Sequence, residues 1–144
     1  MSEHKIALKW FKGDVPFTYE TYTRNHTITF KDGAPQIFSA AATYLGDPSK
    51  GDPEDLLVAA LSSCHMLSFL AICAKKRITV EAYDDDATGM LEKEGGKLWL
   101  TKVVLRPKVR TDADAATLAG IHHKAHEACF IASSVKTQVT VEPR

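Results

Sequence analysis

The stretch that most limits what this chain can become is GDPEDLLVAALSSCHMLSFLAICAKK, residues 51–76. Asp52, Pro53, Glu54 and Asp55 open it with a capping side chain, a residue suited to the first helical position, and negative charge at the positive end of the helix dipole. Lys75, Lys76 and Arg77 supply cations at the opposite end. The spacing predicts one helix from Asp52–Asp55 to about Lys76, a rod of roughly 35 Å at 1.5 Å per residue. Its apolar run, Leu56 to Ala74, is interrupted by Ser62, Ser63, His65 and Ser68, which suits a protein core better than a bilayer. Inside the run sit two thiols, Cys64 and Cys73, and an imidazole, His65, so the rod must also accommodate reactive groups.

The rest of the chain supplies strands. Lys5–Phe11 and Phe17–Phe30 read as strands, the second because YETYTRNHTITF alternates near period two before the turn residues KDG. Pro48–Gly51 is a polar loop. Beyond the rod, ITVEAYDDDATGML and KLWLTKVVLRPKV read as two long strands joined by a turn at Glu94–Lys97, where Gly95 and Gly96 give the bend. A second helix is predicted from Thr111 or Asp112 to about Cys129, and SSVKTQVTVEP closes the chain as a β segment. The order β-β-α-β-β-α-β lacks repeated βαβ units, so the expectation is an α+β fold with a mixed or mostly antiparallel sheet packed on helices. A chain of 144 residues fits one domain, 1–144.

Charge narrows the function classes. Eighteen basic and eighteen acidic residues leave no net charge, which argues against a nucleic-acid binder, and no polybasic membrane patch is present. The opening MSEHKIALKWFKGD carries charges where a signal peptide needs an unbroken apolar core, so the expected location is the cytoplasm. Three cysteines in a reducing compartment do not make a structural disulfide framework; a disulfide there would be transient and catalytic.

Cys64 and Cys73 lie nine residues apart, on opposite helix faces and separated by roughly 13 Å along the axis, so they do not bond to each other. Cys73 reads as a small core residue. In HHKAHEACFIASS, residues 122–134, His122, His126 and Cys129 fall at about 0°, 40° and 340° around a helix, one face. That stripe allows a zinc site completed by Cys64 or His65, a Cys64–Cys129 thiol pair cycling through a disulfide, or surface histidines beside a core cysteine.

Taken together, PEDLLVAALSSCHML and, some 65 residues on, HEACFIAS resemble the OsmC/Ohr family of hydroperoxide reductases, and nearer its OsmC and OsmC-like branch. The family pattern is a Pro-Glu helix start, a cysteine ten residues after the glutamate, and a second cysteine late in the chain. The resemblance implies a thiol-dependent peroxidase on an OsmC-like α+β fold, with no metal or organic cofactor. Cys64 matches the peroxidatic cysteine, which attacks the hydroperoxide and becomes a sulfenic acid. Cys129 matches the resolving cysteine, and the resulting disulfide is re-reduced by an external dithiol such as a lipoyl-type protein. Glu54 matches the glutamate that holds a thiolate-stabilising arginine, for which Arg24 is the best match. The alternative is a non-catalytic ligand- or metal-binding dimer using His122, His126 and Cys129.

Ten residues of helix separate Glu54 from Cys64 by roughly 15 Å, too far for Glu54 to hold an arginine against its own chain's thiol. A second chain would bring these groups together. The resemblance implies the same, an intertwined homodimer with sheets wrapped around two long central helices. The chain departs from the family pattern at Phe130, where proline commonly follows the second cysteine, and at Asp52, where asparagine usually precedes the Pro-Glu pair.

Overall fold

The computed structural model describes residues 1–144. It divides into two compact units, Met1–Leu56 and Leu57–Arg144, a division that chain length alone does not suggest.

In the first unit, β1 (Ile6–Lys9), β2 (His26–Phe30) and β3 (Gln36–Phe38) form an antiparallel sheet in that order. Ile6 pairs with Phe30 and Leu8 with Ile28, placing apolar residues on one face. The strand expected over Phe17–Phe30 is strand only from His26 onward. Ahead of it the chain turns back on itself. The Thr21 hydroxyl donates to the Pro16 carbonyl at 2.5 Å, and Trp10, Phe17 and Tyr22 pack edge to edge or tilted with centroids 5.3–6.3 Å apart. Period-two alternation was present there, but hydroxyl-to-backbone bonds offered a local alternative to a ladder. Arg24 therefore sits in this loop, not on a strand. The KDG turn leads into β3, a strand too short to stand out in the sequence.

The rod is α1 (Pro53–Lys75), which matches the predicted helix within a residue or two. Its start is a reciprocal cap: the Asp55 amide donates to Asp52 Oδ1 at 2.9 Å, and the Asp52 amide donates to Asp55 Oδ2 at 3.2 Å. Leu61, His65, Phe69 and Cys73, spaced by four, are its buried stripe.

The two long strands beyond α1 are each broken once, giving β4 (Val80–Asp85), β5 (Thr88–Glu94), β6 (Lys97–Leu105) and β7 (Pro107–Thr111). The turn falls at Gly95 and Gly96 as expected, with φ of +58° and +78°. The break has a physical cause in Asp85. Its carboxylate accepts the Arg106 amide at 2.7 Å and the Ser62 hydroxyl at 2.5 Å, replacing a ladder bond with a side-chain bond at the corner. Consequently β5 pairs with β6, while β4 pairs separately with β7.

Next come α2 (Ala115–Ala128) and β8 (Gln138–Val141), the latter parallel to β6, so the sheet β5-β6-β8 is mixed. Helix α2 starts later than Thr111 or Asp112 because Thr111 remains in β7 and Asp114 caps, its carboxylate accepting the Thr117 amide at 2.7 Å.

Two apolar clusters hold the second unit. Leu61, Val103 and Leu105 pack with Leu57, Val58, Ile131, Val135, Val139 and Val141. Phe69, Cys73, Ile121 and Ala125 join α1 to α2, with Tyr83 and Val109 against them. Cys73 is thus the packing residue its position suggested. Gly89 lets α1 lie close on the sheet, since a Cβ there would come within 2.6 Å of Val58 Cγ2.

Candidate functional site

The two helices of the second unit deliver one thiol each. Cys64 is half-buried on α1, one residue before the buried His65. Cys129 occupies the C-terminal cap of α2 in an extended conformation (φ −73°, ψ 113°), its amide donating to the His126 carbonyl at 3.2 Å. Cys129 is 1% exposed. Both cysteines are free, and Cys64 lies near enough to Cys129 to act on its thiol.

The surroundings of Cys129 act on its own proton. Burial pushes the Cys129 thiol up, the Ala132 amide, which donates to its sulfur at 3.4 Å, pulls it down, and the Cys64 neighbour pushes it up again. The net direction is upward, so Cys129 keeps its proton near neutral pH. A thiolate formed beside a second thiol can attack an electrophile and then be captured as a disulfide.

Arg24 and Glu54 belong to the other unit and form no ion pair with each other; the ion pairs of the chain join Glu3–Lys5, Arg106–Glu142, His123–Glu127 and Asp86–Arg144. The Arg24 guanidinium donates to the carbonyls of Tyr22 (2.6 Å) and Tyr19 (2.5 Å) and lies 3.7 Å from the Tyr22 ring centroid. Glu54 is half-buried in the first turn of α1.

The three-residue ligand set considered for a metal is not assembled. His122 turns away to meet His65, with Nδ1 3.0 Å from His65 Nε2, and Cys129 leaves the helix at its cap. No group of three or more His, Cys, Asp or Glu side chains gathers at metal-binding range. The helical-stripe argument failed because it assumed that α2 continues through Cys129.

The His65–His122 pair is the feature that sequence reasoning passed over. The rings are nearly parallel, 9° apart, and His122 stacks on Phe69 at 4.3 Å. Burial lowers both imidazoles, His65 to about 4, so both are neutral near pH 7. One signal was available: His65 falls four residues from both Leu61 and Phe69, on the buried stripe.

Comparison with known proteins identifies the family and the fold. The family model described as OsmC-like protein matches residues 46–144. A peroxiredoxin OsmC of Escherichia coli is 27% identical over 92 residues, which cover 63% of this chain and 64% of that protein. The chain thus spans less than two thirds of that curated relative. An OsmC-like protein from Vibrio cholerae has a solved structure that is 45% identical, with a TM-score of 0.92 and full coverage of both chains. The organic hydroperoxide resistance protein OhrB of Bacillus subtilis shares the fold at 18% identity, with a TM-score of 0.67 over 99% of this chain and 98% of its own. With an α+β fold of this type and a family match over more than half its length, the chain belongs to the OsmC-like family.

Proposed function

We propose that this protein is a two-cysteine thiol peroxidase that reduces organic hydroperoxides, with Cys64 peroxidatic and Cys129 resolving. The observation that carries the reading is the juxtaposition of two free thiols delivered by separate helices, with Cys129 buried and its thiol pushed up. The peroxiredoxin name of the Escherichia coli relative supports it.

In the first step the Cys64 thiolate attacks the terminal peroxide oxygen. The O–O bond breaks, the alkoxide takes a proton and leaves as alcohol, and Cys64 becomes a sulfenic acid. The sulfur of Cys129 then attacks the sulfenic sulfur; the S–S bond forms, and hydroxide leaves as water with the Cys129 proton. An external dithiol returns two electrons and two protons, restoring both thiols and becoming a disulfide itself. No metal or organic cofactor takes part. Arg24 is assigned the cation that supports the thiolate and Glu54 its anchor, the roles that the family resemblance implies.

The working form in this reading is a homodimer in the cytoplasm. Helix α1 is strongly apolar, yet only 22% of its most apolar stretch is buried within one chain. Leu67 on its outer side is 59% exposed, and Ile6, Leu8, Phe30 and Ile37 of the first sheet are exposed as well. A second copy would cover such surface and would bring Glu54 of one chain to the thiol of the other. The reading is tested by peroxide consumption with a dithiol reductant in the native protein and in Cys64→Ser and Cys129→Ser.

A further inference from the structure

We propose that the buried His65–His122 hydrogen bond is a positioning joint that fixes the approach of Cys64 to Cys129, and so sets how readily these two thiols close into a disulfide. The bearing of this joint on turnover rests on the peroxidase reading; its bearing on disulfide closure does not.

Each thiol is carried by a different helix, so the distance between them is set by how α1 and α2 register. His65 follows Cys64 directly on α1, and His122 lies seven residues, about two turns or 10 Å, before Cys129 on α2. Beyond the pair, the helices meet through Phe69, Cys73, Ile121 and Ala125, all apolar, and Phe69 and Cys73 lie farther from Cys64 along α1 than His65 does. Apolar contact is non-directional and tolerates rotation and sliding. A hydrogen bond of 3.0 Å between two buried rings does not. His65–His122 is therefore the directional contact nearest the thiols that ties α1 to α2.

The protons can be placed. His65 Nδ1 is buried with no partner, and a proton there would be an unsatisfied buried donor. The proton of His65 accordingly sits on Nε2 and is donated to His122 Nδ1, which leaves the His122 proton on Nε2, where that side chain lines a cavity of about 260 Å³ with His123, His126 and Val141. Phe69 stacks on His122 and holds its plane. The pair thus ties the two helices together, with Phe69 of α1 stacked on His122 of α2, which is what a joint requires.

The test is the thiol–disulfide equilibrium of the full-length protein with glutathione, in which one oxidised glutathione and the two thiols give the Cys64–Cys129 disulfide and two reduced glutathiones. The equilibrium constant reads the mutual approach of the thiols without any peroxide. His122→Phe keeps the ring stack on Phe69 and deletes the acceptor; it is expected to lower the constant about tenfold, the worth of one directional hydrogen bond between the helices. His65→Gln/His122→Asn places amide groups near the two nitrogens and is expected to stay within about twofold of the native value. A native constant in His122→Phe, or the same loss in both proteins, overturns the proposal. If His122→Phe does not fold, His65→Leu/His122→Phe leaves no stranded nitrogen; it should recover the native Tm while the constant stays about tenfold low, and a native constant there overturns the joint. Peroxide turnover is measured alongside. The expected pattern in a native protein that consumes no peroxide would support the joint and sink the peroxidase, and turnover without the pattern would do the reverse.

Discussion

The Cys129 thiol, held at the cap of α2 beside Cys64, is the more buried of the pair, and burial pushes it up. Reactivity toward alkylating agents follows thiolate content and access, so at pH 7 iodoacetamide should modify Cys64 before Cys129. Cys73, also 1% exposed and pushed up by burial, should lag as well. Timed quenching with peptide mass mapping reads the order, and prior labelling of Cys129 would contradict the assignment.

The neutral imidazole pair gives the fold an acid sensitivity. His65 and His122 have folded pKa values below the ordinary 6.5, so the unfolded chain binds more protons as pH falls. Their contribution is fully present above pH 6.5 and is lost as pH drops toward the His65 value of about 4. Allowing for partial solvent screening, His65 alone should account for about 2 kcal/mol over that window. Urea midpoints at pH 7, 6, 5 and 4.5 should decline in the native protein and decline less in His65→Gln/His122→Asn; parallel profiles would contradict the attribution.

Gly89 is placed by its neighbours more than by its backbone. A Cβ there would meet Val58 Cγ2 at 2.6 Å and Leu100 Cδ2 at 3.0 Å, so Gly89→Ala should destabilise by about 1–3 kcal/mol through overpacking. Thermal melts should show part of that loss restored in Val58→Ala/Gly89→Ala, because the deleted methyls are the ones in the way. Additive losses would mean that the strain lies elsewhere.

The uncovered side of α1 bears on assembly. Leu67→Glu places a charge on the outer face of the rod, and sedimentation should move from the dimer mass in the native protein toward the monomer mass in the variant. A native protein that sediments as a monomer would remove the dimer from the account.

How far the sequence could be read depends on which physical signal each element carries. Helix α1 was legible nearly to the residue because its cap, its dipole charges and its apolar stripe all speak locally. The β5–β6 turn was legible for the same reason, since two adjacent glycines supply positive φ. The breaks at Asp85–Ala87 and Arg106 were not, because they depend on one carboxylate reaching an amide 21 residues away. Arg24 was misplaced on a strand because alternation is a weak signal when threonines and aromatics can satisfy the backbone locally. At the site, the approach of Cys64 to Cys129 entered through family resemblance and not through spacing. The His65–His122 bond joins residues 57 apart and leaves only the buried-stripe position of His65 as a trace.

The central claim is tested most directly by following hydroperoxide loss, with tert-butyl hydroperoxide as substrate and dihydrolipoamide as reductant, in the native protein, Cys64→Ser and Cys129→Ser. The account predicts steady turnover in the native protein and none in Cys64→Ser. In Cys129→Ser it predicts reaction of about one equivalent, with little turnover and with Cys64 found as sulfenic or sulfinic acid by mass spectrometry. Native-like turnover in Cys64→Ser would contradict it.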